Sequence, residues 1–161
     1  DCLLSRGLGD VYKRQPCISI NGDDIFKPII IEALIEKRGD IVMTIDRKTT
    51  YDADDMLVVT EGGQILDVGK DLDISKANGE SVGIIKYSKK GVEIVRNTLD
   101  TMLLDKKNHH NFYLATLQKV MNHGFPVNYC EVEENDWVEI DFHPDVKDVR
   151  EKVDYFVNLV T

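Results

Sequence analysis

The order of the first three regular segments constrains this chain most. Cys17 to Asn21 reads Cys-Ile-Ser-Ile-Asn, a short β-favouring run that stops at the polar turn Gly22-Asp23-Asp24. The spacing then predicts a helix over 25–38, with apolar residues at 29, 30, 31, 34 and 35 and Gly39 as a stop. Pro28 falls in its first turn, where a missing N–H does little harm. Asp40 to Asp46 follows as a strand, Ile-Val-Met-Thr-Ile bounded by acids. Strand, helix, strand is the βαβ signature, so the expected fold is α/β: a mixed, mainly parallel sheet flanked by helices.

The middle of the chain differs in texture. Met56 to Thr60 and Gln64 to Val68 are β-rich runs joined by Glu61-Gly62-Gly63, a hairpin insertion whose glycines supply positive φ. Asp71 to Asn78 reads as a polar loop, and Ser81 to Tyr87 as another strand. Helical stripes follow at Lys89 to Leu104 and Asn111 to His123, the second closed by Gly124. Val127 to Val132 and Trp137 to Phe142 are the last expected strands, and Pro144-Asp145 opens an expected final helix.

With 161 residues the chain is sized for one domain, and no internal boundary is visible. No stretch approaches the ~20 apolar residues that would cross a bilayer. The net charge of -9 repels polyphosphate backbones, which argues against a nucleic-acid partner. Cys2, Cys17 and Cys130 have neither disulfide-framework density nor metal-site spacing. A soluble protein of the cytoplasm is the expectation, with no membrane partner.

Two acidic clusters sit where packing alone does not call for acids. Gly22-Asp23-Asp24 lies at the carboxyl end of the opening strand, the edge on which open α/β sheets bind ligands. In Trp137-Val-Glu139-Ile-Asp141, alternation places Trp137, Glu139 and Asp141 on one strand face. If the two strands are neighbours, Asp23 and Asp141 can hold one Mg²⁺, a hard ion that favours carboxylates. The alternative is a turn acid and a solvated strand face, both commonplace. Asp24 is read as a helix N-terminal charge rather than a ligand. Trp137 and Tyr113 suit either an aromatic wall for an amine or ordinary packing. Glu139 is placed to orient a ligand or a metal-bound water. His109-His110, beside Lys106-Lys107, reads as a solvated turn, and His143 alone decides nothing.

The strings NGDDIF, DVGKDL, GESVGIIKYS, FYLATLQKV and DWVEIDFHPD, in that order and spacing, resemble the nucleotidyltransferases that make CDP-choline or CMP-phosphonates. The resemblance runs from Pro16 nearly to the C-terminus, and the Trp-x-Glu-Ile-Asp element is its most specific part. It implies a Rossmann-like domain and transfer of CMP from CTP to phosphocholine or a small aminophosphonate, with release of pyrophosphate. Under it Asp23 and Asp141 become Mg²⁺ ligands, and Lys70 of Val-Gly-Lys contacts the acceptor's phosphate or phosphonate. Glu80 becomes a candidate for the acceptor's cationic head, beside Trp137, Tyr113 and Glu139 as substrate-binding residues.

Residues 1–15 resemble a translated sequencing-adapter peptide and are set apart from the fold, leaving 16–161 as the expected C-terminal part of the domain. The family's apolar first strand and Gly-rich triphosphate loop have no counterpart in 1–15. The chain is therefore expected to bind CTP poorly, to turn over little, and to expose an apolar edge through which a homo-oligomer can form. Two other functions stay open: a non-catalytic acidic α/β module binding a small ligand or partner, and a sugar-phosphate nucleotidyltransferase using UTP or another nucleotide.

Overall fold

The computed structural model describes residues 15–52, 54–110 and 113–140. In chain order the elements are β1 (Cys17–Ile20), β2 (Asp24–Phe26), α1 (Pro28–Glu36), β3 (Ile41–Asp46), β4 (Leu57–Glu61), β5 (Gln64–Gly69), β6 (Gly79–Tyr87), α2 (Lys89–Met102), α3 (Leu114–Asn122), β7 (Asn128–Glu131) and β8 (Trp137–Glu139). Short 3-10 turns lie at Ile74–Lys76, Lys106–His110 and Glu134–Asp136. The helix expected after Pro144 falls outside the described residues. Among the described residues no helix is long and apolar enough to cross a membrane.

Six strands form one sheet in the order β1-β6-β3-β7-β5-β4, and β4 also pairs with β6, so the order closes on itself like a small barrel. The expectation of a mainly parallel sheet is not met. β3 and β7 pair in parallel, whereas every other described pairing is antiparallel. The physical reason lies in β6, which pairs antiparallel with β1 on one side and with β3 on the other. β1 and β3 thus run in the same direction, as a βαβ unit requires, but with a later strand inserted between them. The expected hairpin forms as β4 and β5, with Gly62 and Gly63 at φ 58° and 84°.

β3 carries the core on both faces, and all six of its residues are buried. Ile41, Met43 and Ile45 pack with Ile85, Leu114, Leu117 and Val120 beneath α2 and α3. Val42 faces the other way, toward Ile30 and Leu34 of α1 and toward Val82, Ile84 and Trp137. Each large side chain so buried contributes about 1.5–3 kcal/mol. Layers of helix, sheet and helix result, as the apolar runs suggest.

The predicted helix over 25–38 begins later than its pattern implies. Asp24–Phe26 is extended and pairs antiparallel with β8, Asp24 opposite Glu139, Ile25 opposite Val138 and Phe26 opposite Trp137. The helix starts only at Pro28, after Lys27. A long-range strand partner overrides the local helical period, so Asp24 is a strand residue and not the helix N-terminal charge expected of it.

Candidate functional site

The strand directions bring several chain segments to one edge. β1 and β3 end there and β6 begins there. Leu57 pairs with both Glu80 and Gly69, so the hairpin leaves and returns at the same place and delivers Lys70 beside Glu80. A cavity of about 840 Å³ opens at this edge. Asp23, Lys70, Glu80, Tyr113, Trp137 and Glu139 all line it. Asp141 lies outside the described residues.

The two acidic clusters meet. β2 and β8 form a two-stranded ribbon, and the Ile140 N–H donates to the Asp23 carbonyl at 3.1 Å. Asp23, Asp24 and Glu139 each offer a carboxylate oxygen, and these oxygens lie within 4.8 Å of one another. At Mg–O distances of about 2.0–2.1 Å, octahedral ligands sit about 3 Å apart when adjacent and about 4 Å apart when opposite. Three such donors include at most one opposite pair, so separations of up to 4.8 Å would have to close toward about 3 Å for these hard oxygens to share a Mg²⁺.

Gly83 explains how the acids come so close to the main sheet. It interrupts β6 at φ 84°, where the β3–β6 register shifts between Met43 and Ile45. A Cβ built there would stand 2.2 Å from Nδ2 of Asn21 and 2.9 Å from Oδ2 of Asp24. Only a residue without a side chain lets the turn after β1 rest on this strand. The Asn21 N–H donates to the Gly83 carbonyl at 3.3 Å, closing the contact.

Glu80 is buried at 4% exposure and forms an ion pair with Lys48, whose ammonium also lies 3.3 Å from Asp55. Burial pushes the Glu80 carboxyl up to about 7, against the opposing pull of Lys48. Burial also disfavours the Lys48 cation, but Glu80 and then Asp55 outweigh it and its pKa ends above the ordinary lysine value.

Trp137 is both core and wall. It is 8% exposed among Ile30, Leu34 and Ile84, and its indole Nε1–H donates to Oδ2 of Asp46 at 3.0 Å. Tyr113 is more open, and its hydroxyl donates to Oδ1 of Asn21 at 3.2 Å. Partial burial, with Tyr87, Asp24, Glu139 and Asp23 nearby, raises its phenol and keeps it protonated.

Sequence reasoning missed Asp46, Lys48 and Asp55, which line the same cavity. Alternation past the end of β3 points Asp46 and Lys48 into it, while Arg47 turns away to Glu131 at 2.9 Å and to Tyr129 at 3.3 Å. The rule that singled out Asp23, an acid at the carboxyl end of a strand, applies equally to Asp46. His109 sits in the polar connection between α2 and α3, with Nε2 3.0 Å from the Leu103 carbonyl oxygen.

No protein-family model matches the sequence, and no curated protein matches it either. Solved structures do match. The inositol-1-phosphate CTP transferase from T. maritima superposes with a TM-score of 0.68 at 21% identity, over 88% of this chain and 56% of that one. The CTP:phosphocholine cytidylyltransferase from Streptococcus pneumoniae gives 0.62 at 13% identity, over 84% and 57%. A nucleoside-diphosphate-sugar pyrophosphorylase from Vibrio cholerae RC9 gives 0.59 at 11%, over 90% and 62%. The chain thus spans a little over half the length of the structures it resembles. At these identities the likeness establishes the fold, which is a mixed α/β fold of the kind seen in nucleotidyltransferases.

Proposed function

We propose that this chain contributes the metal-holding and acceptor-binding part of a Mg²⁺-dependent nucleotidyltransferase that moves CMP from CTP to phosphocholine or a small aminophosphonate. The observation that carries this reading is the convergence of Asp23, Glu139, Lys70, Glu80, Tyr113 and Trp137 on one cavity from five separate stretches of chain. A metal ion bound there would neutralise the phosphates of both anionic reactants.

In the proposed reaction an oxygen of the acceptor's phosphate or phosphonate bonds to the α-phosphorus of CTP, and the bond from that phosphorus to the bridging oxygen breaks. Pyrophosphate leaves with the electron pair. No covalent enzyme intermediate is needed, so the demand on the protein is to position the groups and to offset charge. Asp23 and Asp141 are the proposed metal ligands, and Asp24 and Glu139 offer further carboxylate oxygens beside Asp23 that can join them. Lys70 meets the acceptor's anionic end. Six acidic residues line the cavity against two lysines, an excess that favours an acceptor carrying a positive charge. Trp137 and Tyr113 supply aromatic surface for that cationic end.

The test is calorimetric titration of the chain with 2-aminoethylphosphonate, phosphocholine and glucose 1-phosphate, each with Mg²⁺ and again with EDTA. Mg²⁺-dependent binding of a cationic acceptor, lost in Asp23→Asn, supports the reading. Preference for glucose 1-phosphate would favour the sugar-phosphate alternative. Binding of none of the three would overturn the proposal and leave the non-catalytic module.

A further inference from the structure

The ribbon that carries Asp24 and Glu139 is a sheet of its own, and its placement against the six-stranded sheet decides where those carboxylates point. At one corner Lys27 ties the strands of the ribbon region together: its N–H donates to the Asp136 carbonyl at 2.8 Å, and its ammonium lies 2.7 Å from the Asp136 carboxylate. The link inward to the main sheet is of a different kind. The indole of Trp137 donates to Asp46 across a sequence separation of 91 residues.

Asp46 is 2% exposed at the last position of β3, facing Glu80 in the β3–β6 register. Two acids opposite one another in a nearly buried setting are expensive, and structural packing alone would be served by a neutral pair. Trp137 precedes Glu139 by two residues, so both project from the same face of β8, about 7 Å apart along the strand. Fixing the indole ring fixes the start of that short span against the main sheet, on which the turn bearing Asp23 also rests through Asn21 and Gly83, while Asp24 is held opposite Glu139 by the β2–β8 pairing itself.

We propose that Asp46 is a positioning residue: by holding the Trp137 indole it anchors the β2–β8 ribbon, which carries Asp24 and Glu139, against the main sheet and the turn bearing Asp23, so that the three acids gather around a divalent cation. This inference rests on the metal reading above. Asp46 acts through Trp137 and is not itself a ligand. An octahedral site tolerates little error in donor placement, so loosening the ribbon weakens the site without removing a donor.

The experiment is calorimetric titration of the full 161-residue chain with MgCl₂, for the wild type, Asp46→Asn, Asp46→Leu and Trp137→Phe. Trp137 is the one tryptophan in the sequence, so its emission reports the indole's surroundings directly. Asp46→Asn keeps an oxygen acceptor for the indole and is expected to bind Mg²⁺ within about threefold of the wild type, with unchanged emission. Asp46→Leu and Trp137→Phe are expected to lose tenfold or more, the former with a shifted emission maximum. Circular dichroism checks that each variant is folded, and if Asp46→Leu is not, Trp137→Phe and Asp46→Asn carry the comparison. Loss in Asp46→Asn as deep as in Trp137→Phe would make Asp46 a ligand and overturn the positioning role. Wild-type affinity in Trp137→Phe would overturn it too. A wild type that binds no Mg²⁺ would sink the metal reading itself, a result separable from either of the others.

Discussion

Asp24 and Glu139 stand directly opposite one another in the β2–β8 register, two carboxylates at a cross-strand position. Like charges so placed destabilise a strand pair by a few tenths of a kcal/mol to about 1 kcal/mol. Asp23 adds a third acid within 4.8 Å. Such an arrangement lowers the stability of the metal-free chain and is relieved by a bound cation.

Glu139→Gln should therefore stabilise the chain in EDTA. The expected gain is about 0.5 kcal/mol, or about 1–2 °C in melting temperature for a domain of this size. In excess Mg²⁺ the order should reverse, because the wild type gains binding free energy that the variant lacks. Thermal melts in the two buffers check both halves, and a variant less stable in EDTA would contradict the account.

Gly83→Ala should be costly out of proportion to one methyl group. The residue has φ 84°, and the new Cβ would meet the Asn21 side chain at 2.2 Å and the Asp24 carboxylate at 2.9 Å. A loss of about 1–3 kcal/mol is expected from backbone strain alone. Urea denaturation measures it, and an unchanged midpoint would show that the turn after β1 does not depend on this contact.

Glu80 should leave a pH signature. Its carboxyl is pushed up to about 7 in the folded chain from an ordinary value of 4.5. A raised carboxyl binds more protons folded than unfolded, so its contribution is most favourable below the unfolded value and falls as pH rises toward 7. The full swing is at most about 3 kcal/mol. Glu80→Gln removes it, so calorimetric melts from pH 4 to pH 8 should show the wild type losing ground to the variant as pH rises. A constant difference across that range would place the Glu80 carboxyl near its ordinary value.

Lys70→Met should weaken binding of 2-aminoethylphosphonate without changing the melting temperature. A charge-assisted contact to a phosphonate oxygen is worth about 1.5–3 kcal/mol, hence roughly a 10- to 100-fold loss in affinity. Lys70 is exposed just beyond β5, so its stem contributes little to the core. Unchanged affinity would remove Lys70 from the proposed acceptor contacts.

Much of the framework was legible because it is local. β3, the Gly62-Gly63 hairpin and the ends of α2 and α3 follow from apolar runs, caps and glycines within a few residues of one another. β2 was not legible, because Asp24, read as part of a turn, and Ile25 and Phe26, read as the start of a helix, became extended through pairing with β8, more than a hundred residues away. The insertion of β6 between β1 and β3 was hidden for the same reason, and it is what makes the sheet mostly antiparallel. At the site, Asp23 and Glu139 stood out through motif and alternation. Asp46 was passed over although it too ends a strand, because its partner Trp137 is remote. Lys48 was silent too, because its meaning comes chiefly from Glu80, which only the fold brings to it.

In a metal site of the proposed kind, the turn after β1 and strand β8 act on one ion. Electron paramagnetic resonance titration with Mn²⁺, in the wild type, Asp23→Asn, Glu139→Gln and the double variant, measures this as a coupling. Each single change should cost tenfold or more in affinity, and the double variant should fall well short of the two losses combined, as expected for ligands of a shared site. Absence of bound Mn²⁺ in the wild type, or two losses that simply add, would contradict the claim.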